Sequence, residues 1–107
     1  MNFMQGTLDV LILRALADGP LHGYDVVAWI RSASQGTLEI EDGALYTCLH
    51  RMEARGWLTC EWKTSPKGRR AKYYSLAAEG RRQLRLGERE WDRFSRAVTR
   101  IFARGEA

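Results

Sequence analysis

Residues 42–76, DGALYTCLHRMEARGWLTCEWKTSPKGRRAKYYSL, decide the fold, because their apolar pattern changes from helical to strand-like at Gly56. A helix is expected to begin at Asp42, whose carboxylate can cap the free amides of the first turn, and to end at Gly56. The residues spaced as one buried helical stripe are Leu45, Cys48, Leu49 and Met52. The opposite stripe carries Gly43, Tyr46, Thr47, His50 and Ala54, with Arg51 and Arg55 flanking it. Small, hydroxylated and imidazole side chains edged by arginines favour a helix that enters a nucleic-acid groove.

A β-hairpin is predicted after this helix. Leu58, Cys60 and Trp62 alternate with polar residues, and Tyr74 and Leu76 continue the alternation after a break. The connecting loop, TSPKGRRAK at 64–72, contains Pro and Gly turn residues and the cations Lys67, Arg69, Arg70 and Lys72. No acidic residue lies between Lys63 and Tyr74. The sequence therefore predicts an exposed, basic hairpin tip that can contact phosphates.

Two helices are predicted before residue 42. The first runs from Thr7 to Ala17, is apolar on most sides and stops at the sequence Asp-Gly-Pro of residues 18–20. The second follows Gly23 and fades at residues 34–36. Its expected inner stripe contains Tyr24, Val27, Ala28 and Ile30.

The last segment, from Ala77 to Ala103, is predicted to be one long helix with an apolar seam. Two series of seven-residue spacing form this seam, namely Leu84, Trp91, Val98 and Gly87, Phe94, Ile101. A helix of this length at the end of a small domain can pack only partly on its own core. The seam therefore predicts a homodimer.

This order of elements is typical of a winged helix-turn-helix, a mainly α fold with a small β-hairpin. We expect residues 1–76 to form the DNA-binding domain and residues 77–107 the dimerisation helix. The third helix would enter the major groove of double-stranded DNA, while the hairpin would contact phosphates. The residues predicted to contact DNA are Gly43, Tyr46, Thr47, His50, Arg51, Arg55, Lys67, Arg69, Arg70 and Lys72.

Composition limits the other classes of protein. A chain of 107 residues, 45% hydrophobic and 28% charged, is suited to one globular domain, and its net charge of +4 suits a polyanionic partner. The start MNFMQG lacks the features of an export signal, and the longest apolar run, Val10 to Leu13, is too short to cross a bilayer. The two cysteines, Cys48 in an expected core helix and Cys60 in an expected core strand, are too few for a disulfide framework. These features predict a cytoplasmic protein that does not bind membranes.

Three segments resemble successive signatures of the PadR family of transcriptional regulators: PLHGYDV at 20–26, GALYTCLHRMEARGWL at 43–58 and GRRAKYYSLAAEG at 68–80. The resemblance implies a dimeric repressor on a pseudo-palindromic operator. It also implies DNA contacts by Tyr46 and the hairpin cations. The chain departs from the family pattern at Thr47, where proline is usual, and at Ala77, where threonine is common. Its single terminal helix is similar to the short branch of the family.

The resemblance also suggests how such a repressor is released. In some relatives, tryptophans near the dimer centre stack flat molecules in a pore, which here would involve Trp91 with Phe94 and Trp29, closed by Leu8, Ile12 and Ala15. An aromatic residue on a helical seam is also explained by packing alone. The residues predicted for the dimer and effector region are Leu8, Ile12, Leu84, Trp91, Phe94, Val98 and Ile101.

No cofactor is required by this interpretation, and the effector is either a small hydrophobic molecule or a soft divalent metal. The metal hypothesis depends on thiolate and imidazole ligands, for which the candidates are His22, Cys48, His50 and Cys60. Their spacing does not favour it, because Cys48 and His50 point to different faces of one helix. A site joining His22 to Glu39, Glu41 or Asp42 stays open.

Two other functions compete with DNA binding. No serine or cysteine is placed as a nucleophile, and no glycine-rich phosphate loop is present, so an enzyme is not predicted. The main alternative is a winged-helix module that binds protein through the same face. The charge of the hairpin tip favours DNA over that alternative.

Overall fold

The structure, a computed structural model, describes residues 3–104, with side chains described from residue 6 onward. The side chains of residues 1–5 and 105–107 are not among those described. These residues are the outer ends of the predicted units 1–76 and 77–107 and include most of the MNFMQG start. The elements in chain order are α1 (Phe3–Ala15), β1 (Leu21–His22), α2 (Gly23–Ala33), α3 (Asp42–Ala54), β2 (Leu58–Thr64), β3 (Arg70–Leu76) and α4 (Ala78–Arg104).

The core lies where α1, α2 and α3 meet the base of the sheet. Its largest fully buried side chains include Ile12 and Leu13 of α1, Val26 of α2, Leu49 of α3 and Tyr74 of β3. The four residues predicted as the buried stripe of α3 are all buried, as the 3.6-residue period requires. The winged-helix prediction of three helices, a hairpin and a long final helix is confirmed.

The sheet has one strand more than the predicted hairpin. β1 pairs antiparallel with β3 through Leu21 opposite Tyr74 and His22 opposite Tyr73, which gives the order β1-β3-β2. A two-residue strand has no alternation to detect. Its effect is to join the start of α2 to the middle of the hairpin.

The predictions for the faces of α2 and the cap of α3 are wrong in part. Tyr24 is 76% exposed and Ala28 is exposed, whereas Val26 and Ile30 are buried. The turn before α2 rotates the helix so that Val26 rather than Tyr24 meets the core. Asp42 lies inside the first turn of α3, and the N-cap is Glu41, which makes no side-chain capping bond.

The prediction that Cys60 lies in a core strand is wrong. Leu58 is buried, but Cys60 and Trp62 are exposed, and β2 is exposed along the rest of its length. The two strands stay paired from Leu58–Leu76 to Thr64–Arg70, so the hairpin extends away from the core into solvent. Alternation identifies the two faces of a strand but does not show where the core ends.

Close backbone contacts fix the first half of α4. A Cβ atom at Gly80 would overlap the carbonyl oxygen of Trp57, and one at Gly87 would overlap a methyl group of Val10. After these two contacts the helix runs beyond the body formed by the other elements. The whole molecule, α4 included, measures 59 × 28 × 23 Å along its principal axes. Between residues 3 and 104, none of the helices has the length and apolar character that crossing a bilayer requires.

Candidate nucleic-acid interface

The outward face of α3 is exposed, as predicted. Gly43, Tyr46, Thr47 and His50 are all open to solvent along it. The rings of Tyr46 and His50 are neighbours, with centroids 6.4 Å apart. Both can therefore act together on one stretch of a partner.

A glycine at the start of α2 makes room for Tyr46. A Cβ atom at Gly23 would lie 2.9 Å from the hydroxyl oxygen of Tyr46 and 3.0 Å from a ring carbon, so a larger residue would displace the ring. His22 caps the same helix end, where its Nδ1 accepts from the amide of Asp25 at 3.3 Å. The HGY segment thus has a local role: it packs the start of α2 against the outward face of α3.

Arg51 is turned toward α1 rather than toward solvent, which corrects the prediction that it contacts DNA. Its guanidinium forms a close ion pair with Asp9 of α1, and the two side chains are only 20% and 12% exposed. Its Nε is buried and has no hydrogen-bond partner within the described part of the chain. Arg51 therefore ties the recognition helix to α1.

The hairpin tip is closed by Ser65 and presents its cations outward. The amide of Ser65 donates to the carbonyl of Arg69 at 2.6 Å, the Ser65 hydroxyl accepts from the amide of Arg69 at 3.2 Å, and Gly68 adopts a φ of 82°. Lys67, Arg69 and Arg70 are all exposed. A small, locally hydrogen-bonded turn that holds three cations is suited to gripping phosphates.

Lys72 is placed differently from the other hairpin cations. Its Nζ donates to Glu53 Oε1 of α3 at 3.0 Å, and its side chain is 26% exposed. Cys60 Sγ donates to the other oxygen of Glu53, also at 3.0 Å. The prediction of Lys72 as a free phosphate contact is wrong in this structure, because its charge is shared with Glu53. The three residues set the angle between α3 and the hairpin.

The side chains of Glu53, Cys60 and Lys72 shift one another's pKa values. The hydrogen bond from Cys60, followed by the bond from Lys72, holds the pKa of Glu53 below its ordinary value of 4.5. The bond to Glu53 raises the pKa of Lys72, and the same carboxylate raises the pKa of the Cys60 thiol. Glu53 therefore stays ionised and holds the hairpin at neutral pH.

Replacing Glu53 with glutamine is expected to lower stability at pH 7 by about 0.5–1 kcal/mol, the range of partly exposed ion pairs. A carboxyl group with a lowered folded-state pKa stabilises the fold above its ordinary pKa, and this contribution is lost as the pH falls through the folded-state value. The difference between wild type and E53Q should therefore shrink below about pH 4.5. Urea unfolding from pH 7 to pH 3 measures this. E61Q is the matched control, since Glu61 is a largely exposed carboxylate on β2; equal pH profiles for wild type and E53Q would contradict the cluster.

Two aromatic residues that were not predicted for the interface also lie there. Tyr24 and the 57% exposed Trp62 line the same groove as His22, Tyr46, His50 and the hairpin cations. Arg70 lies over the Trp62 ring at 5.9 Å. Arg55, which follows the last residue of α3, lies over the Trp57 ring at 5.6 Å and is therefore at the end of the outward face of α3. The sequence holds no signal for the exposure of Trp62, because the alternation of β2 does not show that the strand leaves the core after Leu58.

The residues predicted for the dimer and effector region separate into two groups. Ile12, Ala15 and Leu84 are buried in the core of the single chain, so they are not available to a partner, and Leu8 and Trp29 pack against that core. Trp91, Phe94 and Ile101 are exposed, and Val98 is half-buried. Trp91 and Phe94 are stacked, with centroids 6.1 Å apart. They line a largely apolar groove with Val10 and Leu11 of α1.

The four metal candidates lie in separate environments. His22 caps α2, His50 is exposed beside Tyr46, Cys48 is buried, and Cys60 bonds to Glu53. Burial raises the pKa of the Cys48 thiol, which opposes the thiolate form that binds metal. Over residues 3–104, the structure brings together no group of three His, Cys, Asp or Glu side chains suited to a metal ion.

An exposed helix face beside a basic hairpin, on a winged-helix scaffold, defines a DNA-binding regulator. Residues 12–86 match the PadR-like family of transcriptional regulators, and the chain belongs to this family. Its members are regulators rather than enzymes.

Individual relatives agree with the family assignment. The chain is 31% identical to the transcriptional regulator Rv3488 of Mycobacterium tuberculosis over 98 residues, which cover 91% of this chain and 87% of that protein. It is similar to the crystal structure of a PadR family regulator from Eggerthella lenta, with a TM-score of 0.74, 33% identity and coverage of 91% and 82%. A regulator structure from Clostridium thermocellum, at 24% identity, has the same fold with a TM-score of 0.82 over 94% and 97% of the chains.

Proposed function

We propose that the protein is a dimeric repressor that binds a pseudo-palindromic operator through α3 and the hairpin of each subunit. The support for DNA contact is the joint exposure of Tyr46, Thr47 and His50 beside Lys67, Arg69 and Arg70. In this arrangement α3 reads base edges in the major groove while the hairpin cations hold phosphates. Gly43, at the exposed first turn of α3, allows the DNA backbone to approach closely.

The observation that carries the dimer is the apolar side of α4. Trp91, Phe94, Ile101 and Phe102 are between 44% and 71% exposed in the single chain, on a helix that runs beyond the body. Several large apolar side chains along one side of a helix are typical of an interface with another chain. A second copy that pairs through this side supplies the two-fold symmetry that a pseudo-palindrome requires.

The groove between α1 and α4 suits an effector that is a flat apolar molecule. Trp91 and Phe94 offer stacked ring faces, and Val10 and Leu11 supply the opposite wall. The same α1 holds α3 through Asp9 and Arg51. A molecule that shifts α1 against α4 would change the distance between the two recognition helices, which must match major grooves roughly 34 Å apart. Release of the operator follows from that mismatch.

Replacing Ile101 with aspartate tests the dimer and its link to DNA binding. A charge in the apolar side of α4 should convert the dimer to a monomer, measured by sedimentation equilibrium. Operator affinity, measured by fluorescence anisotropy, should fall at least tenfold, because each half-site is then bound separately. The matched control is Thr99→Asp, an exposed position on the opposite side of the same turns. An I101D protein that remains dimeric with normal affinity would overturn the proposal.

A further inference from the structure

The cations of α4 differ in kind and number from those of the rest of the molecule. The helix carries eight arginines and no lysine, whereas the three lysines of the chain, Lys63, Lys67 and Lys72, all lie in the hairpin. Against eight arginines α4 has four acidic residues, a surplus of four that equals the net charge of the whole chain. The hairpin of residues 58–76 has the same surplus, with five cations against Glu61, so the excess positive charge of the protein is divided between the hairpin and α4.

These arginines follow one another at helical spacing. We call them the arginine stripe: Arg81, Arg82, Arg85, Arg89, Arg93, Arg96, Arg100 and Arg104. Arg81 and Arg82 are adjacent, and from Arg82 onward steps of three or four residues place the arginines along one side of the helix, opposite the apolar side of Trp91, Phe94 and Ile101. From Arg81 to Arg104 the stripe is about 35 Å long at 1.5 Å per residue. All eight side chains are exposed.

The fold itself makes little use of these charges. Arg82 pairs with Glu79 at 2.8 Å and Arg96 with Asp92 at 3.1 Å, both within one turn of α4 and largely exposed. The other six form no ion pair with any residue in the range 3–104. Like charges spaced four residues apart destabilise a helix by about 0.2–0.5 kcal/mol per pair. The stripe therefore weakens α4 unless an anion neutralises it.

The stripe is separate from the interface built by α3 and the hairpin. α4 packs on α1 and β3, whereas α3 packs on α2 and β2. The groove at the recognition helix is lined from β1, α2, α3 and the hairpin, without a residue of α4. Dimer formation through the apolar side of α4 leaves the opposite side, and hence the stripe, open to solvent.

We propose that the arginine stripe of α4 binds the phosphate backbone of duplex DNA, as a second DNA-binding surface beside α3 and the hairpin. Duplex DNA carries one negative charge per about 1.7 Å of its axis, a continuous anion that matches a cationic stripe of this length. Arginine rather than lysine suits the role, because its planar guanidinium bonds phosphate oxygens in pairs. This surface binds either DNA flanking the operator or a second duplex. Binding to DNA that flanks the operator rests on the proposed function, because it requires an operator bound by α3 and the hairpin.

The test compares wild type with R85Q/R89Q/R93Q, which removes three adjacent charges that take no part in α3 or the hairpin. The conservative variant R85K/R89K/R93K keeps the charge and serves as the matched control. Binding is measured on a duplex limited to the operator and on one extended by twenty base pairs at each end. Bridging is measured as energy transfer between two differently labelled short duplexes.

On the short duplex the glutamine variant should bind as wild type does, because that duplex contacts only α3 and the hairpin. Binding of wild type to the short duplex therefore tests the proposed function separately from the stripe. On the extended duplex, or in the bridging assay, it should bind on the order of tenfold more weakly, with a salt slope smaller by about 0.9 for each phosphate that is no longer bound. The lysine variant should keep most of the wild-type signal. A glutamine variant equal to wild type in both assays would overturn the proposal. Binding to phosphatidylglycerol vesicles is measured alongside, and a loss confined to the vesicles would also overturn it, because the stripe would then bind lipid.

Discussion

Replacing Arg69 and Arg70 together with alanine is expected to weaken operator binding about 10⁴-fold at physiological salt, at roughly 1.5 kcal/mol for each of the four charge-assisted contacts that the two subunits make. Both residues are exposed at a turn that Ser65 closes, so their loss removes phosphate contacts without removing a contact of the core. The loss should be similar for operator and unrelated duplexes, because phosphates carry no sequence information.

Anisotropy titrations between 50 and 200 mM salt measure the effect. The slope of log affinity against log salt should become between three and four units less steep, at about 0.9 for each of the roughly four phosphates that the dimer no longer binds. R14A/R31A removes the same charge from exposed arginines of α1 and α2 and should bind within threefold of wild type. An unchanged slope in R69A/R70A would show that the hairpin tip does not touch DNA.

Replacing Asp9 with asparagine is expected to destabilise the protein by about 2–3 kcal/mol, less than the roughly 3–5 kcal/mol of a fully buried pair, because the Arg51 side chain is 20% exposed. Asp9 is 8% exposed, and its partner Arg51 already has a buried Nε without a hydrogen-bond partner in the described chain. The Asn side chain keeps the shape and removes the compensating charge. Asp18→Asn is the control, since Asp18 is an exposed partner of Arg14, and it should change stability by less than about 0.5 kcal/mol.

Urea unfolding gives these free energies, and a second substitution separates charge from packing. D9L/R51M should recover most of the stability, because apolar residues of similar volume often replace a buried ion pair without cost. Operator binding by this stable double variant then reports whether the pair also positions α3. A D9N protein within about 1 kcal/mol of wild type would contradict a buried, compensated pair at this position.

The sequence predicts burial well for elements that pack against the core along their whole length. α3 is the clearest case, because its buried stripe of Leu45, Cys48, Leu49 and Met52 follows directly from helical spacing. The three segments of family resemblance likewise predicted the winged helix and the exposure of Tyr46. The hairpin was predicted as a pair of strands, but the expected burial of Cys60 was wrong, since the strands leave the core after Leu58.

The roles of individual arginines and lysines were harder to predict. Arg51 and Lys72 have the same local context as cations that face solvent, and only their partners distinguish them. Asp9 is 42 residues from Arg51 and Glu53 is 19 residues from Lys72, so each pair exists only in the folded chain. Leu84 was assigned to the dimer by its seven-residue spacing and Ile12 by the family resemblance. Neither shows whether the residue's own subunit already covers it.

In vitro selection from a random duplex library tests the central claim, sequence-specific DNA binding by a dimer, most directly. The protein should enrich a pseudo-palindrome whose half-sites are centred about 10–10.5 base pairs, or a multiple of this, apart. Two subunits should bind each selected duplex, and binding should survive an excess of unrelated DNA. A library that shows no enrichment, or a single half-site bound by one subunit, would contradict the account.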